Sequence, residues 1–211
     1  HMGDYEDRKD YSTGSLQGAE ESMAERLTAW LEAARAADPE DYNAMTLSTV
    51  DAGGHPDARI VLLRDVDREG SGFLFYTNYA SAKGKQLAGH PSAALTFFWP
   101  ALERQLRIRG TVERLSAEES DRYFNSRPRP SRIGAWASQQ SESIADRKAL
   151  EAARAEVEAR FPGDVPRPPH WGGYRLVADA IEFWQGRPGR LHDRIRCTRQ
   201  GESWIQERLQ P

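Results

Sequence analysis

The chain has 211 residues and a formal net charge of −3; 38% of residues are hydrophobic and 29% charged. That suits one compact domain with appendages and argues against a generic nucleic-acid binder. No apolar run of about 18 residues is present, so no membrane partner is expected, and the acidic first ten residues lack the apolar region of a secretory signal. His1-Met2 reads as an expression remnant ahead of a native start. The single cysteine, Cys197, excludes an intrachain disulfide framework and a Cys-rich zinc site, and the five histidines contain no H-x-x-x-H pair, so no metal is expected. A reducing, cytoplasmic setting is the expectation.

Residues 1–20 are polar, contain Gly3, Gly14 and Gly18, and read as a mobile arm in which Tyr5 and Tyr11 supply docking points. Residues 21–211 read as one domain. Ser22-Met-Ala-Glu25 is a capping box, and Met23, Leu27, Trp30, Leu31 and Ala34 behind it predict a helix over about 22–36. Strands are predicted at Asn43–Val50, Ala58–Val66, Phe73–Asn78, Ala93–Trp99 and Gln105–Leu115, with a short helical insert at Ser81–His90. A second capping box, Ser116-Ala-Glu-Glu119, opens a helix that Arg127-Pro-Arg-Pro130 stops, and Asp146–Phe161 carries a third amphipathic stripe. Strands return at Tyr174–Val177, Ala180–Gln185, Leu191–Thr198 and Ser203–Leu209, the last two as a hairpin. The fold class is mainly β with flanking helices, an antiparallel barrel or sandwich.

Cations concentrate locally. Residues 187–199 hold Arg187, Arg190, Arg194, Arg196 and Arg199 against Asp193 alone, and residues 127–132 hold Arg127, Arg129 and Arg132 with no acid. Such clusters in a negative chain point to a small anion, phosphate first, because guanidinium forks match its oxygens; solvated strand faces give the same composition. Arg59 and Arg64 stand five apart, so a regular strand sends them to opposite faces; one site takes both only through a bulge or by wrapping the strand end. Gln105, Arg107 and Arg109 alternate with Leu106 and Ile108, giving a polar face that suits a barrel exterior or a ligand groove. Arg190, His192 and Arg194 share one face if they lie on a strand, and two flanking cations disfavour an imidazolium. No G-x-S-x-G, P-loop or G-x-G-x-x-G motif is present, and Cys197 is expected to be buried and inert.

Longer motifs carry a family resemblance. Arg59–Arg64, Phe75-Tyr-Thr-Asn78, Ser81-Ala-Lys-Gly84, Glu103-Arg-Gln105, Ser126–Ser141, Trp171-Gly-Gly-Tyr174, Ile181–Gly186, Arg190-Leu-His-Asp-Arg194 and Glu207–Pro211 occur in order. Over roughly residues 8–211 the chain resembles the pyridoxine (pyridoxamine) 5′-phosphate oxidase family. The resemblance implies an FMN-binding split β-barrel, a homodimer with FMN across the subunit interface. It implies oxidation of pyridoxamine or pyridoxine 5′-phosphate to pyridoxal 5′-phosphate, with O₂ reduced to H₂O₂. It places FMN contacts at Arg59, Ile60, Val61, Leu62, Tyr76, Thr77, Lys83, Gln105, Gln140, Ser141, Trp184 and Arg194. It places the substrate phosphate at Arg64, Tyr123, Arg127 and Ser131, and the reacting ring at Arg190, Leu191 and His192, with Arg190 and His192 as the catalytic pair. Arg8 and Tyr11 match a lid, and Asp41 matches an acid near the site. Two departures stand out: Arg64 where the family usually has Lys, and Ala82 where it often has Arg, with Lys85 nearby as a substitute cation. The competing readings are a phenazine-pathway oxidase on the same fold and a non-catalytic flavin or pyridoxal-phosphate carrier.

Overall fold

The computed structural model describes residues 9–18 and 21–211; Arg8, expected in the lid, lies outside them. Helix α1 (Met23–Ala37) begins at the expected capping box: the Ser22 hydroxyl accepts from the Glu25 N–H, and the Glu25 carboxylate accepts from the Ser22 N–H at 2.9 Å. It buries Met23, Leu27, Trp30 and Ala34, and the Trp30 ring meets Phe183 edge-on at 5.1 Å.

The described strands are β1 (Ala44–Val50), β2 (Pro56–Leu62), β3 (Asp65–Asp67), β4 (Gly72–Asn78), β5 (Ser92–Trp99), β6 (Arg104–Arg114), β7 (Trp171–Gln185), β8 (Asp193–Gln200) and β9 (Ser203–Leu209). They form one antiparallel sheet in the order β2-β1-β5-β6-β7-β4-β3. One edge of β7 pairs with β6 over residues 174–185; the other is shared, with β4 on residues 171–177 and β8 on residues 180–185. That division splits the barrel. It coincides with a bulge opposite Arg109/Gly110, where Asp179 is the extra residue and its carboxylate lies 3.6 Å from Arg109. A Cβ on Gly110 would fall 2.0 Å from the Val177 carbonyl oxygen, so the crossing demands glycine. Alternate residues of each strand face a core of Leu47, Phe73, Phe75, Leu95, Phe97, Leu106, Ile108, Leu176, Ile181 and Phe183.

Helix α2 (Ala82–Gly89) connects β4 to β5, and α3 (Ala117–Ser126), α4 (Arg129–Ala137) and α5 (Arg147–Arg160) fill the segment between β6 and β7. None of the described helices is long and apolar enough to cross a membrane.

Four sequence expectations are corrected. The strand expected at 58–66 breaks after Leu62, with β3 starting at Asp65. The two strands expected at 174–185 are one. Arg127-Pro-Arg-Pro130 ends α3 but also opens α4, since proline suits a first helical turn. The strand expected from Leu191 starts at Asp193, after a tight turn at Pro188–Arg190 in which Gly189 and Arg190 are left-handed.

Candidate active site

The residues expected to carry the chemistry gather in three groups of side chains. The first surrounds the N-terminus of α2. Ser81 caps it, its hydroxyl accepting from the Gly84 N–H. The buried Lys83 ammonium donates to Gln140 Oε1 at 2.9 Å and Thr77 Oγ1 at 3.2 Å, and the Ala82 N–H donates to Ser141 Oγ at 3.1 Å. Ser141 itself is left-handed, with φ +76°. Arg59 approaches from β2: its Nη1 donates to the Leu47 carbonyl and Thr49 Oγ1, and its Nη2 to Asp57 and Gln86. Burial, and then the Arg59 charge, hold the Lys83 ammonium below its ordinary pKa. Two cations at a helix N-terminus make an anion cradle.

The second group is an aromatic shelf. Tyr76 stacks on Tyr123 with centroids 3.8 Å apart, and Trp171 lies parallel to both. Burial, and then Tyr123, push the Tyr76 phenol up to about 12. The Arg127 guanidinium lies 4.5 Å over Trp171, and Arg64 lies 5.8 Å over Tyr123. Arg127 Nη1 is buried and has no hydrogen-bond partner among the described residues. Ser131 sits in the first turn of α4, four residues on. Arg64 follows the end of β2, its N–H bonded to the Leu74 carbonyl. Arg59 and Arg64 therefore serve different groups, and the strand end explains their odd spacing.

The third group stands at the far end of β7. The His192 ring is 4.6 Å from Trp184, and Tyr11 packs edge-on against both, at 5.8 and 5.7 Å. The Arg187 N–H donates to His192 Nδ1 at 3.1 Å, so a neutral ring carries its proton on Nε2. These residues, with Lys9, Asp10, Arg187 and Arg190, line a cavity of about 410 Å³. Leu191 is 73% exposed. Arg190 lies in the left-handed turn, so it does not share a strand face with His192 and Arg194 as a continuous strand predicts. Gln105, Trp184 and Arg194 do align, side by side across β6, β7 and β8.

The arginine-rich stretch 187–199 is largely neutralised within the chain. Arg194 grips Glu182 with two hydrogen bonds, at 2.9 and 3.2 Å, Arg196 pairs with Glu207, and Arg187 with Asp193. Asp41 is exposed near the start of β1, and Cys197 is buried, its thiol pushed up to about 11 by burial. Lys85, the substitute cation near Ala82, is held by Glu142 at 2.7 Å.

Sequence reasoning assigned no role to Asp57, Gln86 or Trp171. Asp57 precedes Arg59 by two residues on the same strand face, and Gln86 follows Lys83 by three on α2, so both were within reach of spacing arguments. The Trp171 contact with Arg127 crosses 44 residues of chain and leaves no local signal.

The model of the family described as pyridoxamine 5′-phosphate oxidase matches residues 21–161, and that of the pyridoxine 5′-phosphate oxidase C-terminal dimerisation region matches residues 171–211. A pyridoxine/pyridoxamine 5′-phosphate oxidase from Bordetella avium is 55% identical over 207 residues, covering 97% of each chain. One from Thermosynechococcus vestitus is 55% identical over 206 residues, also 97% of each. Among solved structures, PhzG from Burkholderia lata, in complex with tetrahydrophenazine-1-carboxylic acid, is 31% identical with a TM-score of 0.86, over 95% of this chain and all of that one. The chain belongs to the pyridoxine/pyridoxamine 5′-phosphate oxidase family.

Proposed function

We propose that the chain oxidises pyridoxamine or pyridoxine 5′-phosphate to pyridoxal 5′-phosphate, using FMN and O₂, as a cytoplasmic homodimer. The observation that carries this reading is the orphan nitrogen of Arg127, a buried donor held on an aromatic shelf beside Arg64. A phosphate monoester satisfies that donor and the repelling pair of cations together.

The α2 cradle fits the phosphate of FMN: a buried ammonium, a guanidinium, the Ser141 hydroxyl and the positive end of a helix converge there. Arg59, Lys83 and Ser141 would hold that phosphate, with Thr77 and Gln140 orienting Lys83. The exposed apolar residues of β2, Ile60 (64%) and Leu62 (38%), suit the edge of a flat ring, with Val61, Tyr76, Gln105, Trp184 and Arg194 as the remaining contacts. Bound FMN would supply a two-electron acceptor for the hydride of the substrate carbon, with O₂ as the final oxidant and H₂O₂ as its product. Arg64, Tyr123, Arg127 and Ser131 hold the substrate phosphate and so fix the distance of the reacting carbon from the anchor. His192 would hydrogen-bond through Nε2 to the substrate's hydroxyl or amine, water would take the proton that this group loses as hydride leaves, and Arg190 and Leu191 would cover the ring. Tyr11 closes over Trp184 and His192 as part of a lid.

Among the described residues, the Tyr11–Trp184–His192 group shares no hydrogen bond or ring contact with the Arg64–Tyr123–Arg127 group. The reading therefore brings them together from two copies. The match to a dimerisation region and the exposed Ile60, Leu62 and Phe98 (51%) support that arrangement. The test is a spectrum of purified protein. A flavin band bleached anaerobically by pyridoxamine 5′-phosphate, with H₂O₂ appearing on readmission of air, is the expected result; a band indifferent to that substrate refutes it. The likeness to PhzG supports a second reading, oxidation of a tetrahydrophenazine carboxylic acid, which the same bleaching assay distinguishes.

A further inference from the structure

Glu103 takes no part in the chemistry described above. It closes the tight turn Pro100–Leu102 between β5 and β6 in a left-handed conformation, φ +54°, that non-glycine residues seldom adopt. Its side chain is 1% exposed. A buried carboxylate is costly unless its oxygens are hydrogen-bonded. Oε2 accepts from the Ser12 N–H at 2.9 Å, the Thr13 N–H at 3.0 Å and Thr13 Oγ1 at 2.7 Å; Oε1 lies 3.1 Å from Lys9 Nζ. Every one of these donors belongs to the segment 9–18, about ninety residues away in sequence. The main chain of Glu103 grips the other side: its carbonyl accepts from the Gly186 N–H at 2.7 Å and from Gln185 Nε2 at 3.3 Å, at the end of β7 just beyond Trp184. Tyr11 lies between Lys9 and Ser12. A Cβ on Gly186 would fall 2.6 Å from the Tyr11 ring, so arm and strand end are in close contact.

We propose that Glu103 is a positioning residue: its carboxylate latches the arm so that Tyr11 sits against Trp184 and His192. With the arm withdrawn, the carboxylate exchanges four donors of the arm for water, so its charge-assisted hydrogen bonds favour the closed arrangement. The Thr13 N–H, foremost among those donors, helps hold the carboxyl at about 2 against the opposing effect of burial. The latch is therefore ionised throughout the neutral range. Its consequence for turnover rests on the oxidase reading; its structural content does not.

The test uses the full chain with flavin bound, and two variants. Glu103→Gln removes the charge at nearly constant volume. Lys9→Met combined with Thr13→Val removes two donors from the exposed side and leaves the core untouched. In both, amide exchange at residue 12 is expected to accelerate about tenfold or more. The KM for pyridoxamine 5′-phosphate is expected to rise more than kcat falls, with flavin content unchanged. Adding Tyr11→Ala to Glu103→Gln is expected to give the KM of Tyr11→Ala alone, because both act through one contact. Unchanged exchange in both variants overturns the latch, as does a KM effect that multiplies with that of Tyr11→Ala. Absence of turnover in the unmodified protein overturns the oxidase reading instead, and the exchange result still decides the latch.

Discussion

Replacing Arg127 by methionine separates binding from folding in a way the structure makes quantitative. In the folded chain, Arg127 gains a cation–π contact with Trp171, worth about 0.5–2 kcal/mol. Against this stand a buried nitrogen with no partner among the described residues, at about 1–3 kcal/mol, and the burial that, with a smaller repulsion from Arg64, holds the guanidinium below its ordinary pKa. Methionine fills similar space over the indole, so stability is expected to change by less than about 1 kcal/mol, or roughly 2–4 °C in Tm for a chain of this size. Substrate binding is expected to lose a charge-assisted hydrogen bond of about 1.5–3 kcal/mol, a rise in KM of about 10- to 150-fold. Steady-state H₂O₂ release with pyridoxamine 5′-phosphate, beside calorimetry of the same preparation, measures both. Activity toward unphosphorylated pyridoxamine is expected to be untouched. A KM shift under about threefold, or an equal loss on both substrates with a Tm drop well beyond 4 °C, refutes the phosphate role and makes Arg127 a structural residue.

Lys83 gives a pH dependence with a defined sign. Its pKa is lowered from 10.5 in the folded chain, so its protonated form costs stability, and that cost disappears as pH rises past the folded value toward the unfolded one. A bound phosphate favours the protonated form, so FMN affinity is expected to fall as pH rises through the lowered pKa, and Lys83→Arg to flatten that fall; fluorescence titration of apoprotein against pH measures it. Because Lys85 is occupied by Glu142, Ala82→Arg is expected to tighten flavin retention by about tenfold, the worth of one charged hydrogen bond; equal retention on ultrafiltration sinks this. Gly84→Ala is expected to cost about 1–3 kcal/mol and to release flavin, since the added Cβ would lie 2.1 Å from the Tyr79 carbonyl oxygen beneath α2; thermal melting and flavin content check it.

What could be read from the sequence follows how local its cause is. Both capping boxes act within four residues, and α1 and α3 begin where Ser22 and Ser116 place them. The cores of the strands follow alternation, as in β6, where Leu106 and Ile108 are buried and Arg107 and Arg109 exposed. The breaks were harder. The sequence reading left residues 178–179 between two strands, yet a one-residue bulge lets β7 continue, because β6 pairs on both sides of it. Prolines at 128 and 130 suggested a stop, although they also start α4. The site was legible as residue types but not as three groups. Charge counting could not foresee that Arg194 and Arg196 meet Glu182 and Glu207 across strands. The family motifs supplied those residues; the structure supplies their partners.

Strand β7 carries Trp171 at one end and Trp184 near the other. At roughly 3.3 Å per residue, the contour between them is on the order of 40 Å, far longer than a vitamin and its phosphate. On the proposed reading, one strand would therefore equip two separate reaction chambers, each with a different wall. A dimer assembled from a chain damaged at Arg127 and another damaged at His192 would keep one chamber wholly intact and concentrate both injuries in the other. Two individually impaired proteins would then recover part of the activity at low substrate on mixing, and the recovered share would count the mixed pairs.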